Sequence, residues 1–348
     1  MGASRWGIMG RRAALDPITA MTKGHPVQDP TELFQFETDT SLSAEDMHAS
    51  VLVLALGGFV DAGHTQRLLT EHLLETHESR VIASFDVDQL LDYRGRRPPM
   101  VFDRDHWESY ADPSLLLYRV VDRAGVPFLL LAGPEPDYQW ARTAEAVMIL
   151  IRALEVELTV SVHGIPMAVP HTRPLGFTMH GTNPRLLSGN ETPFGTVQVP
   201  ASFSAMLELR LGEAGRDAIG FAVHVPHYLG QSEFADAGLL GLQRIIAATG
   251  LDLDTTALAA AAGRDRAEIA RQMEQSDEIS AVVRALEQQY DTFLEGRRHR
   301  SLLATDLSDL PTADEIGAEF EAFLKDVADE GVQPDDADGT DGQDSPKG

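Results

Sequence analysis

The segment Ser50-Val51-Leu52-Val53-Leu54-Ala55-Leu56 constrains this chain more than any other. After its first residue it offers no polar position, and Gly57-Gly58 closes it. A strand with no face for water is the pattern of a parallel sheet covered by helices on both sides. Seven residues are far short of the roughly 20 that a membrane span needs, and no other stretch approaches that length.

Further strands are expected at Val81–Phe85, Leu115–Val121, Phe128–Ala132, Leu158–His163 and Ile219–Val225, with short additions at Met100–Phe102 and Thr196–Val199. Asp61 stands where it can cap a helix carrying Leu68, Leu69, Leu73 and Leu74 on one face. Gln139–Leu154 places Trp140, Ala144, Val147, Ile151 and Leu154 at helical spacing, and Glu233–Thr249 offers a further helix. Strands alternating with helices predict a three-layer α/β/α sandwich around a mixed, largely parallel sheet.

Around that core, residues 1–45 read as a mobile leader in which only Leu33-Phe34-Gln35-Phe36 can dock, and residues 46–250 as the core domain. Residues 251–328 read as a C-terminal helical appendix. Its apolar stripes are Ile279, Val282, Val283, Leu286, Tyr290, Phe293 and Leu294, then Ile316, Phe320, Phe323 and Leu324 behind a Thr312/Glu315 capping box. Residues 329–348 form an acidic tail of the composition that stays disordered.

With 54 acidic against 28 basic residues the net charge is −26, a field that repels phosphate backbones and anionic lipid, so neither nucleic acid nor membrane is expected as a partner. No cysteine is present, which excludes disulfides, thiolate nucleophiles and iron–sulfur ligation. No apolar run of signal-peptide length follows Arg5, Arg11 and Arg12, and the cytoplasm is the expected location.

Polar groups gather where strands hand over to helices, which is where open α/β sheets bind ligands. Gly57-Gly58-Phe59-Val60-Asp61-Ala62-Gly63-His64 is either a tight turn with an Asp cap or a set of free N–H groups able to hold an anion; the dinucleotide and P-loop spacings are absent. Asp86 and Asp88, followed by Asp92-Tyr93-Arg94-Gly95-Arg96-Arg97-Pro98, suit a metal, a sugar hydroxyl or a phosphate, or a loop pinned by its own ion pairs. In Gly133-Pro134-Glu135-Pro136-Asp137-Tyr138-Gln139-Trp140, Asp137 reads as the helix cap and Glu135 has no evident structural duty. The histidines His163, His171, His180, His224 and His227 lack a metal-binding spacing, and no serine sits in a nucleophile elbow. One candidate pocket follows: Asp61, His64, Asp86, Asp88, Arg94, Glu135 and His163, with no metal and no cofactor.

The motifs GGFVDAG (57–63), DYRGRRP (92–98), GPEPDYQW (133–140), GIPMAVPHTRP (164–174) and PHYLGQ (226–231) make the chain resemble the proteasome assembly chaperone 2 family in its actinobacterial branch. The resemblance implies a phosphorylase/hydrolase-like sandwich and a homo-oligomer, with a trimer as the expected form, and no established reaction. It also implies protein binding or assembly, since eukaryotic relatives help to build the proteasome's α-ring. The sequence closes on Asp344-Ser345-Pro346-Lys347-Gly348, so the C-terminal hydrophobic-Tyr-X tail of several proteasome-docking factors is not expected here. A non-catalytic protein that engages a partner through its C-terminal helices is the first expectation. The alternative is an enzyme or sensor for a nucleoside, phosphate or carboxylate at the strand ends.

Overall fold

The computed structural model describes residues 28–303, apart from 38–42, 44, 59, 189–195 and 276. The chain divides into two compact units, Met1–Gln288 and Gln289–Gly348. The expected capping box and the apolar stripe from Ile316 to Leu324 lie outside the described residues, as does the acidic tail.

In the first unit the strands are β1 (Phe34–Phe36), β2 (Val51–Gly57), β3 (Glu78–Phe85), β4 (Met100–Asp103), β5 (His106–Tyr110), β6 (Leu116–Val121), β7 (Pro127–Pro134), β8 (Leu158–Met167), β9 (Phe177–Gly181) and β10 (Asp217–Pro226). The helices are α1 (Thr65–Thr76), α2 (Trp140–Ala153), α3 (Phe203–Glu213), α4 (Ala235–Thr249) and α5 (Thr256–Glu274); α6 (Asp277–Leu303) runs on into the second unit.

Eight strands form one sheet in the order β1-β3-β6-β7-β2-β8-β10-β9, and β4 and β5 form a separate two-stranded ribbon. β2 is parallel to β7 and β8, and β8 to β10, whereas β1, β6 and β9 run against their neighbours. This is the mixed, largely parallel sheet of an α/β fold.

The apolar run sits in the middle of it. Leu52, Leu54 and Leu56 pack with α2 and α3 on one face, while Val51, Val53 and Ala55 pack with α1 and α4 on the other. Apolar packing continues past Gly250: Leu251, Leu253 and Leu258 are buried in the second cluster. In α6, Val283 and Leu286 are buried and Val282 is exposed. No described helix is long and apolar enough to cross a membrane.

One local expectation is corrected, and two elements that the sequence reading does not give are added. Thr196–Val199 is not a strand; it is unpaired, with Val197 and Val199 exposed, because alternating valines give β-propensity but no neighbour offers them a ladder. The edge strand beside β10 is β9, whose residues are all half-buried and therefore carry no clean alternation. α3 has only Phe203, Leu207 and Leu211 buried, with polar residues turned toward the sheet between them, which blurs its stripe.

Candidate functional site

β2 leaves through α1 toward β3, and β7 leaves through α2 toward β8 on the other side of β2, so the carboxyl ends of these strands form the sheet's topological switch point. Asp61 lies there as a helix cap. Its carboxylate accepts from the backbone N–H of Gln66 at 2.8 Å and of Arg67 at 3.4 Å in the first turn of α1. Burial raises its pKa, opposed by these donors and by the N–H of Gly164. His64 takes a left-handed conformation, φ 52°, as the N-cap position of α1.

Glu135 has the structural duty that the sequence does not reveal. Its side chain is buried and accepts from the N–H of Phe203 at 2.9 Å, at the start of α3. The same carboxylate packs on Gly58, where a Cβ would fall 1.8 Å from Oε2. Its own N–H donates to Gly57 at 2.8 Å, so it ties the glycine turn to α3.

Asp86, Asp88 and Arg94 are exposed beyond β3. Asp86 accepts from Gln89, and Asp88 from the Tyr93 hydroxyl at 2.7 Å, a bond that pushes the phenol up to about 12. The arginine that pins the loop is Arg96, which pairs with Asp137 at 2.9 Å and donates to the Glu135 carbonyl at 3.0 Å. Asp137 is not the cap of α2: it accepts from the N–H of Asp92, and Gln139 takes the cap position in a left-handed conformation.

His163 is on β8, in the same cross-sheet row as Ala222 of β10 and Thr178 of β9. Its pKa is pushed down to about 4, first by burial and then by His180, whose ring centroid is 6.2 Å away. The partner that orients His180 is Glu208 of α3, with both carboxylate oxygens 2.9 Å from Nδ1. Sequence reasoning missed Glu208 because it missed α3; the mark it left is Ser204, Glu208 and Leu211 at spacings of four and three. His171 and Tyr228 form a third pair, at 2.7 Å, while Thr172 and Arg173 reach Glu287 of α6.

The seven candidate residues thus fall into three places: Asp61, His64 and Glu135 around the glycine turn, Asp86, Asp88 and Arg94 on an outer loop, and His163 on the strand below α3. Among the described residues no group of three or more acidic or histidine side chains is arranged to hold a metal ion.

The PAC2 family model matches residues 55–273. A protein of unknown function from Mycobacterium tuberculosis is 43% identical, with a TM-score of 0.74 over 80% of this chain and 94% of that one. Another from Corynebacterium glutamicum is 39% identical, with a TM-score of 0.71 over 76% and 98%. A proteasome-assembly chaperone homologue of Mycobacterium tuberculosis, 22% identical with a TM-score of 0.60 over 67% and 99%, shares the fold. No curated protein matches. With the family model spanning more than half of its length, the chain belongs to the PAC2 family.

Proposed function

We propose that this protein is a non-catalytic, self-associating member of its family that acts in protein binding or assembly, and that the β4–β5 ribbon is its contact between copies. The ribbon carries this reading. Met100 is paired with Tyr110 and Phe102 with Trp107, so these four side chains share one face, with the Phe102 and Trp107 rings 5.0 Å apart. They are 48%, 45%, 55% and 63% exposed. A two-stranded ribbon is marginal alone in water, and an apolar face this open is the mark of an interaction surface.

A second copy is the occupant we favour. Residues 92–112 hold Arg94, Arg96, Arg97 and Arg104 against Asp92, Asp103, Asp105, Glu108 and Asp112, a nearly balanced stretch in a chain of net charge −26. A nearly balanced patch lets two acidic copies meet there with little repulsion. The exposed apolar side chain Val282 of α6 is a further candidate contact for a protein partner. The fold shared with a proteasome-assembly chaperone homologue is consistent with an assembly role.

Most of the polar residues at the strand ends act as caps and ties, which favours this reading over a small-molecule enzyme at the switch point. Sedimentation of the full chain tests it. Wild type should form a discrete oligomer at micromolar concentration, and the Phe102→Asp/Trp107→Asp variant should sediment as a monomer with unchanged circular dichroism. A monomeric wild type, or a variant that still assembles, would overturn the proposal.

A further inference from the structure

Two imidazoles hold the entry to α5. His72, in the second half of α1, and His77, at its C-cap, are both buried, and both reach the backbone of Asp254 just before α5 begins. His72 Nε2 meets the Asp254 carbonyl, and the Asp254 N–H points at His77 Nε2 from 3.5 Å. The Asp254 side chain accepts the N–H of Thr256, the first residue of α5, at 2.7 Å, and so caps that helix.

Counting protons fixes the role of each ring. The Thr76 hydroxyl lies 2.6 Å from the His72 carbonyl and 2.8 Å from His77 Nδ1. A carbonyl can only accept, so the single hydroxyl proton goes to it, and His77 Nδ1 donates to the Thr76 oxygen. A neutral ring with its proton on Nδ1 has a bare Nε2, which is what the Asp254 N–H needs. His72 faces a carbonyl and therefore carries its proton on Nε2. The two rings are opposite tautomers, one giving to Asp254 and the other receiving from it.

We propose that this pair is an acid-sensitive clamp on the entry to α5, closed while His77 is neutral and released when a proton arrives at its Nε2. Protonation turns the acceptor into a donor, so that an N–H faces an N–H across the contact. The charged and titratable groups around the ring are His72 of its own helix, Asp122 of the turn between β6 and β7, and Asp254. Asp122 already receives the amides of Ala124, Val126 and Asp252, and Arg123 beside it is paired with Asp252. The Asp254 carboxylate is the one left to the imidazolium, and turning to it frees the Thr256 amide and uncaps α5. Burial lowers the pKa of His77, with His72 acting in the same sense and the Leu73 carbonyl, Asp254 and Asp122 opposed. The ring is thus neutral at pH 7 and charges on acidification. Leu251, Leu253 and Leu258 are buried and do not titrate, so the opening is confined to the turn.

Imidazole NMR and amide hydrogen exchange of the full chain test the clamp. At pH 7.5 long-range proton–nitrogen spectra should place the proton of His77 on Nδ1 and that of His72 on Nε2. Between pH 7.5 and pH 5.0 the amides of Asp254 and Thr256, corrected for the intrinsic exchange rate, should lose roughly fivefold or more of their protection. His77→Gln keeps an acceptor near the place of Nε2 but cannot titrate, and these two amides should hold their protection in it across the same range. A His77 proton on Nε2 at pH 7.5, a flat profile in wild type, or an equal fall in His77→Gln would each overturn the proposal. The tautomers are read on the unaltered chain, so a poorly folding variant does not shield it.

Discussion

A Cβ on Gly164 would lie 2.0 Å from the carbonyl oxygen of Ala62 and 3.0 Å from its carbonyl carbon. Backbone cannot swing aside as a side chain does, so the turn that carries Asp61 would be pushed off β8. Gly164→Ala should therefore lower the unfolding free energy in urea by about 1–3 kcal/mol, the usual cost of overpacking. Gly263 of α5 makes the opposite case, since a Cβ there meets nothing within 4 Å. Gly263→Ala should raise stability by about 0.4–1 kcal/mol through the unfolded chain's lost freedom. Equal effects of the two substitutions would contradict this assignment. The sequence marks Gly164 as part of a motif but cannot say that a carbonyl lies against it, because Ala62 is about a hundred residues away.

At the scale of elements, the anchor of β1 is Arg142 of α2, which is 4% exposed. It donates to the carbonyl of Asp29 at 2.9 and 2.7 Å and to the side chains of Gln28, Glu32, Gln89 and Gln139. One guanidinium thus holds the segment leading into β1, the connection after β3 and the start of α2. Arg142→Ala should cost on the order of 2 kcal/mol, as when the charged donor of several part-buried hydrogen bonds is removed. Amide hydrogen exchange at Phe34–Phe36 should accelerate while that of β2 stays slow. Unchanged exchange at β1 would show that its pairing with β3 suffices. From sequence, Leu33 to Phe36 are legible as a docking segment. Arg142 is not, because an arginine on a helix reads as solvated until its partners are in place.

Across the whole molecule, stability should fall on mild acidification. Burial pushes His163 down to about 4 in the fold, from the ordinary imidazole value of 6.5, so the unfolded chain binds the proton more readily between those values. A depressed histidine stabilises the fold fully above about pH 6.5 and loses that contribution as the pH falls toward 4. At 1.36 kcal/mol per unit the effect is roughly 3 kcal/mol. His171 and His224, lowered by burial, act in the same sense. Burial-raised Asp61 and Asp236 act in the opposite one. Urea unfolding of wild type and His163→Phe between pH 7 and pH 4.5 should show a shallower slope for the variant; parallel slopes would contradict the assignment.

By itself the sequence determined the layers: an apolar run without a solvated face requires cover on both sides, and β2 has it from α2 and α3 on one face and α1 and α4 on the other. It also determined the family, through motifs that recur at the strand ends. Only the tertiary structure decided what those motifs do. Asp61 caps α1, Glu135 receives the first amide of α3, and Arg96 reaches Asp137, each through partners that local pattern does not reveal. The physical reason is range. Burial and periodicity act between neighbours in the chain, whereas the partners of a buried polar group are chosen by which strands come to lie side by side. The same holds for Ser161, Gly220 and His180, three residues far apart in sequence that sheet register sets in one row.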